Sequence, residues 1–418
     1  MNRFHSSPEW KYIPRWITPH LAGALEVHPV VVITGARQVG KSTLLQYGEP
    51  TQDFSFVSLD DMDVLAEAQK NPSALLTGKT RFIIDEVPKA PQLLPEIKRR
   101  VDATQRQVRI VLSGSTNLLM MKQISETLAG RAVFFSLDAM ALREAHFLPP
   151  SGVLDALFAG KIPQAPEGAL ELDPLPELLI RGFLPPLLNI PGISEIVRWW
   201  EGYVTTFLER DLRTFSRIDS LPDFRRAMVA VALRSGQLLN QSEIARDIAL
   251  PQPTLHRYLN LLEVMNILYR VPAFTINRTK RLMKSPKLYW FDCGLACFLA
   301  GLYEPEAVQG AREWGGLMET LIFQHLRVWC SLQVPSARIF FWRTTTGQEV
   351  DFVIEKGTCL LAIEVKSDSQ VRYRDLGNLR LFLSEYPDLT AAGVVVYTGE
   401  EIVQLDEQIF AIPWHILV

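Results

Sequence analysis

Residues 30–47 read VVVITGARQVGKSTLLQY, and their order decides the fold class of the first third of the chain. A β-branched run that is apolar on both faces predicts a buried strand, glycines interrupt it, and a helical pattern follows. Within the stretch, Gly35–Ser42 fits G-x-x-x-x-G-K-[ST] at every required position, between a predicted strand and a predicted helix as the chemistry demands. The backbone N–H groups of Gly35, Ala36, Arg37, Gln38, Val39 and Gly40 are expected to close round phosphate oxygens, with the positive end of the helix dipole behind them. Lys41 then reaches the β- and γ-phosphates, Ser42 supplies a hydroxyl ligand to Mg²⁺, and Thr43 completes the nucleotide-contacting set.

Moving outward, FSFVSLD (54–60), RFIIDE (81–86) and VRIVLSGS (108–115) are further short strands, alternating with helical patterns such as PQLLPEIKRRVDA (91–103). That alternation predicts a mostly parallel α/β sheet. RFIIDE delivers Asp85 to the carboxyl end of the sheet, where it can hold Mg²⁺ together with Ser42. Glu86 follows as the candidate base for an attacking water.

The chain has 418 residues, enough for several domains, and its net charge of −3 neither requires nor excludes a polyanionic partner. Four cysteines without zinc-ligand spacing predict a reduced, cytoplasmic protein lacking a structural metal, and no apolar run reaches membrane-spanning length. Six prolines and three glycines in residues 149–177 mark a seam. The expected order is residues 1–148 as an ATPase-type unit, 149–177 as linker, 178–220 as a helical lid-like segment, 221–290 as a winged helix and 291–418 as a second α/β unit.

In the middle, NQSEIARDIALPQPTLHRYLNLLEVMNIL (240–268) reads as a helix-turn-helix. Ile244, Ala245 and Ile248 face inward, LPQP breaks the chain, and the second helix begins at Thr254 with His256, Arg257 and Asn260 outward. From Arg270 to Lys287 there are six basic residues and no acidic one. As a β-wing, this run would present Arg278, Lys280, Arg281, Lys284 and Lys287 to DNA phosphates; as a packing element, it would serve protein contacts.

Toward the carboxyl end, GQEVDFVIEKGTCLLAIEVKSDS (347–369) holds Asp351, then Glu364 and Lys366 two positions apart on a later strand and hence on one face. A turn at Lys356-Gly357 returns Asp351 to them, and Glu319 on the preceding helical pattern completes a cluster. Asp351, Glu364 and Glu319 are candidate ligands for Mg²⁺ or Mn²⁺, with Lys366 steering an attacking water. This arrangement resembles the PD-(D/E)XK nucleases.

GARQVGKSTLL, SLDDMDVLAEAQKNPSALL, FIIDEVPKAPQLLPEIKRRVD, IVLSGSTNLLM and ETLAGRA, with YVTTFLERDLR, KSPKLYWFDCGLA and FWRTTTGQEVDFVIE further on, resemble a widespread prokaryotic family of AAA-type ATPases. Its members carry a carboxyl-terminal domain of formerly unknown function with a restriction-endonuclease-like core. The resemblance covers nearly the whole chain, departs from it at the proline-rich seam, and implies ATP hydrolysis. It also implies a γ-phosphate sensor among Ser113, Ser115, Thr116 and Asn117, with Ser115 and Asn117 assigned to the nucleotide site. For Arg131 two readings stand: a surface arginine, or a finger reaching the next subunit of a homo-oligomeric, hexameric ring.

The expected protein is therefore α/β and multidomain: an AAA-type P-loop domain on a parallel sheet, a helical and winged-helix middle, and a restriction-endonuclease-like α/β domain. Two functions compete. One is an ATP-driven DNA-processing protein with a metal-dependent nuclease module. The other is an ATP-dependent switch acting on protein partners or transcription, its nuclease-like domain inactive.

Overall fold

The computed structural model describes residues 12–114, 124, 126–168, 170, 172–206, 220–281 and 284–418, with the side chain of Lys280 excepted. The chain divides into two compact units, Met1–Asp138 with Leu184–Asn189, and Ala139–Phe183 with Ile190–Val418. Among the described residues no helix is long and apolar enough to cross a membrane.

The first unit is built on five strands: β1 (Val30–Thr34), β2 (Ser55–Ser58), β3 (Arg81–Asp85), β4 (Arg109–Ser113) and β5 (Ala132–Ser136). They lie in the order β2-β3-β4-β1-β5, and every pairing is parallel. The three central strands are buried along nearly their whole length, while β2 and β5 at the edges are partly exposed. That contrast explains the continuous apolar runs of VVVI, FII and IVL, since a central parallel strand is covered on both faces. The helix Leu93–Ala103 buries Leu93, Leu94, Ile97 and Val101 in one core with Val30, Val32, Ile84 and Leu112. Its spacing matches a helical apolar stripe. Because β4 lies between β1 and β3, the loop after β1 and the acidic end of β3 flank the carboxyl end of β4, a place where open α/β sheets bind ligands.

The second unit opens with helices, among them Leu221–Ala232, Gln241–Asp247 and Gln252–Val264. Asn240 caps the second of these by accepting from the Glu243 N–H. The chain turns through Ala249 at φ 51°, and the third helix begins at Gln252 rather than at Thr254, because Pro253 sits in its first turn, where a missing N–H costs nothing. Leu255, Tyr258, Leu259 and Leu262 are buried along it. Strands β6 (Leu268–Val271) and β7 (Lys287–Trp290) follow as an antiparallel ribbon.

The helix Trp314–Leu332 then precedes a six-stranded mixed sheet. Its strands are β8 (Arg338–Arg343), β9 (Glu349–Lys356), β10 (Cys359–Val365), β11 (Thr390–Tyr397), β12 (Val403–Asp406) and β13 (Ile409–Pro413), ordered β12-β13-β11-β10-β9-β8. The β9–β10 hairpin turns at Gly357, whose φ of +64° suits a residue without Cβ. Leu379 and Phe382 of the helix Gly377–Glu385 pack on Phe340, Trp342, Val353 and Val395. Cys293, Cys297 and Cys330 are buried, Cys359 is half-buried, and all four are outside any disulfide.

Candidate functional site

The loop after β1 is shaped by backbone that side chains resist. Gly35 has φ +147°, and a Cβ there would meet the Leu137 carbonyl oxygen at 2.2 Å; Gln38 and Gly40 are also left-handed, at 68° and 92°. Ala36 and Val39 are buried, Arg37 and Gln38 are exposed, and Ser42 and Thr43 are half-buried in the first turn of the helix Lys41–Tyr47. Lys41 is 6% exposed, and its Nζ donates to the carbonyls of Gly35 (3.0 Å) and Ala36 (2.8 Å). Burial lowers its pKa to about 8, against the opposing pull of Glu86 and Asp85. The lysine thus occupies itself with the loop's own oxygens.

Arg15 supports this loop from a distance. Its Nη1 donates to the Val39 carbonyl at 2.7 Å and its Nη2 to that of Asp138 at 2.8 Å. Nothing in the local sequence marks Arg15, since both partners are remote and both are backbone atoms.

Asp85 is buried at the end of β3 and accepts a hydrogen bond from Ser113 Oγ at the end of β4. Glu86 follows at φ 53° and leads into the short turn Val87–Lys89. Burial raises its pKa, while Lys41 works against the rise. Gly114 passes so close to this turn that a Cβ would meet Pro88 Cδ at 2.5 Å. Ser115, Thr116 and Asn117 lie outside the described residues. Arg131, a candidate for contact with a neighbouring subunit, holds Asp102 of its own chain in a two-pronged pair, with Nε and Nη2 at 2.8 and 2.9 Å.

In the second unit the β9–β10 hairpin brings Asp351 beside Glu364. Register places Ile363 opposite Phe352, and Asp351 Oδ2 accepts from the Val365 N–H at 2.9 Å. Lys366 pairs with Glu364 Oε1 at 2.9 Å, and Glu319 projects from its helix into the same cluster. Lys287, expected on the DNA-facing run, is found here instead. Its side chain is 3% exposed, and its Nζ lies 2.6 Å from Glu349, 3.1 Å from Glu319 and 3.2 Å from Asp351. Burial alone would lower its pKa, but Glu319, Asp351 and Glu349 together hold it above the ordinary value. Lys287 therefore presents no charge to a polyanion. The Tyr289 hydroxyl donates to Glu319 Oε2 at 2.7 Å. Glu349 was legible in the sequence, two positions before Asp351 and so on the same strand face; Tyr289 had no comparable mark.

Arg281 is a second correction to the expected DNA contacts. It is buried, donates to both oxygens of Glu355 at 2.9 and 3.1 Å, and lies 4.7 and 4.6 Å from the ring centroids of Phe274 and Phe340. The segment after β6 is tied to the sheet as well: the Phe341 N–H donates to the Pro272 carbonyl, and Ala273 bridges Phe341. His256, Arg257, Arg278 and Lys284 are exposed. Asn260 is half-buried, donating to His256 Nε2 at 2.9 Å and accepting from Arg270 at 2.8 Å. The side chain of Lys280 lies outside the described residues.

Residues 27–146 match the family described as AAA domain. Residues 172–306 and 314–417 match two domains of unknown function, DUF8612 and DUF4143. The chain is 29% identical over 396 residues to an uncharacterised protein of Mycobacterium tuberculosis, covering 94% of this chain and 82% of the relative. It is 22% identical over 418 residues to an uncharacterised protein of Haemophilus influenzae, covering 92% and 94%. Among solved structures, the Walker-type ATPase of Pyrococcus abyssi is similar at 16% identity and a TM-score of 0.44, covering 68% of this chain and 94% of that one.

The P-loop residues suit a Mg²⁺-nucleotide. Ser42 and Asp85 are hard oxygen donors beside a loop whose left-handed Gly35 and Gly40 hold a backbone path that side chains resist. The cluster of the second unit does not suit a metal. Both oxygens of Asp351 already accept hydrogen bonds, Glu349 accepts from Lys287 and Arg343, and Glu319 accepts from Lys287 and Tyr289. Glu364 Oε2 is buried without a donor, but one oxygen is no ligand set. Among the described residues no group of three or more His, Cys, Asp or Glu is arranged to hold a metal ion.

Proposed function

We propose that the AAA-type domain hydrolyses ATP, with Lys41 binding the terminal phosphates, Ser42 and Asp85 holding Mg²⁺, and Glu86 accepting the proton of the attacking water. The observation that carries this reading is Lys41, buried and bonded to Gly35 and Ala36 through oxygens that phosphate oxygens can replace. On nucleotide binding, Lys41 exchanges two neutral acceptors for an anionic one, a stronger charge-assisted bond. Glu86, half-buried just past the end of β3, has its pKa raised by desolvation, which strengthens it as a base. Bound Mg²⁺ supplies charge neutralisation of the phosphates. The test is turnover and nucleotide affinity of Lys41→Ala and Glu86→Gln: the first is expected to lose tight binding, the second to keep it and lose turnover.

The work done by that turnover is proposed to be DNA processing, gripped through the exposed side of the helix Gln252–Val264 and the cations Arg278 and Lys284, in a winged-helix arrangement. What supports it is the exposure of His256, Arg257, Arg278 and Lys284 in one sequence neighbourhood. A second reading, an ATP-dependent switch for protein partners, is favoured by the internal use of Arg281 and Lys287 and by the bridge from Ala273 to Phe341. ATP turnover measured with single-stranded, duplex and branched DNA separates the two. Stimulation supports DNA processing, and an unchanged rate on all three supports the switch.

A further inference from the structure

A metal-dependent centre of the expected pattern needs a cation among Glu319, Asp351 and Glu364, and the chain supplies one of its own. We propose that Lys287 is the resident cation of this carboxylate cluster, so that the second unit binds neither Mg²⁺ nor Mn²⁺ there and cleaves no phosphodiester.

The stoichiometry of hydrogen bonding is the first support. An ammonium has three donors, and Lys287 has three carboxylate partners within 3.2 Å on three residues, Glu349, Glu319 and Asp351. Its valence is filled, as a side chain only 3% exposed requires. The second support is where the lysine is anchored. Lys287 begins β7; it lies opposite Val271 in the ribbon and bridges Leu238, so its backbone is fixed on two sides. The ammonium cannot leave the cluster without exposing a long buried stem or parting the ribbon.

A divalent ion meets two obstacles there. Mg²⁺ demands near-octahedral oxygen ligands at about 2.0–2.1 Å, whereas both oxygens of Asp351, both of Glu349 and one of Glu319 are already engaged by Lys287, Tyr289, Arg343 and the Val365 N–H. An ion entering beside Lys287 would also face a fixed positive charge within a few ångströms, in surroundings that screen poorly. The unpartnered Glu364 Oε2 offers one ligand only, and its other oxygen is held by Lys366. In place of hydrolytic chemistry the contact joins β7 to β9 and to the helix Trp314–Leu332.

The test is Mn²⁺ binding by the nucleotide-free, full-length protein, read from the loss of free-ion EPR signal up to millimolar Mn²⁺. Wild type and Asp351→Asn are expected to bind equally. Lys287→Met is expected to gain one Mn²⁺ per chain with an affinity at least about tenfold above wild type, the size of effect that removal of one nearby charge produces in a poorly screened site. Asp351→Asn introduced into that variant should abolish the gain. An Mn²⁺ bound by wild type and lost in Asp351→Asn overturns the proposal, as does a folded Lys287→Met protein that binds no more than wild type. Should Lys287→Met fail to fold, the comparison of wild type with Asp351→Asn decides by itself: equal binding supports the resident lysine, and an Asp351-dependent ion refutes it. Incubating wild type with duplex and branched DNA and Mn²⁺ gives a second readout, in which Asp351-dependent cleavage overturns the proposal and its absence supports it.

Discussion

Lys41 and Glu86 face each other electrostatically, and their ionisation is tuned in complementary directions. Burial lowers Lys41 to about 8, so the nucleotide-free lysine loses its proton as pH rises through that value, and with it the charge that phosphate requires. ATP affinity is therefore expected to fall between pH 8 and pH 10, measured by calorimetric titration, with proton uptake on binding across that window. A pH-independent affinity would remove Lys41 from the phosphate contact. Glu86→Gln keeps the shape but not the base, and turnover should drop by about 10²–10⁴-fold with ATP still bound. Wild-type turnover in that variant would refute the assignment.

His325 shows residue-scale tuning with a structural outcome. Its Nδ1–H donates to the Leu321 carbonyl at 2.8 Å, its Nε2 accepts from the Leu142 N–H at 2.9 Å, and burial lowers its pKa to about 4. The folded state keeps this ring neutral while the unfolded chain protonates it below about 6.5. Stability is then lost as pH falls from 6.5 to 4, on the order of 3 kcal/mol from this group. His325→Gln should flatten the acid limb of a Tm-against-pH curve; an unchanged limb would place the linkage elsewhere.

Among the elements, the connection between β6 and β7 departs most from expectation. As a wing, it would have projected its cations. Arg281 instead uses its planar fork on Glu355 and two aromatic rings, a geometry lysine cannot reproduce. Arg281→Ala should cost up to about 3–5 kcal/mol in chemical denaturation, because it leaves the largely buried Glu355 with only the longer contact to Arg338 at 3.8 Å. A loss near zero would mean that the pair is incidental. The DNA reading rests on other cations: Arg257→Ala, Arg278→Ala and Lys284→Ala combined should weaken binding to all sequences and reduce the salt slope by up to about 0.9 for each phosphate no longer neutralised. Unchanged affinity would exclude this face. The helices beside the connection were legible because apolar spacing is local. The fate of a basic residue was not, since Glu355 stands 74 residues from Arg281.

For the whole molecule, the proposed hexameric ring depends on Arg131 leaving Asp102 for a neighbouring subunit. Both members of that pair are solvent-accessible, and exposed pairs are weak and screened by salt, so the exchange faces little opposition. Mixing Arg131→Ala with Lys41→Ala subunits should restore some turnover at hybrid interfaces, and a strictly monomeric mass with ATP and Mg²⁺ would dismiss the ring. By itself the sequence determined the strand-loop-helix around Gly35–Ser42, the acidic end of β3 and the two-residue spacing that sets Lys366, just past the end of β10, beside Glu364. Each depends on a repeat of two or 3.6 residues, or on backbone freedom that glycine alone supplies. Only the tertiary structure decided that Leu184–Asn189 belongs with the first unit, that Arg15 braces Val39, and that Lys287 lies among carboxylates rather than facing a phosphate backbone. A buried charge must be neutralised by whatever the fold brings near it, and those partners, 32 and 64 residues distant for Glu319 and Asp351, follow no local period.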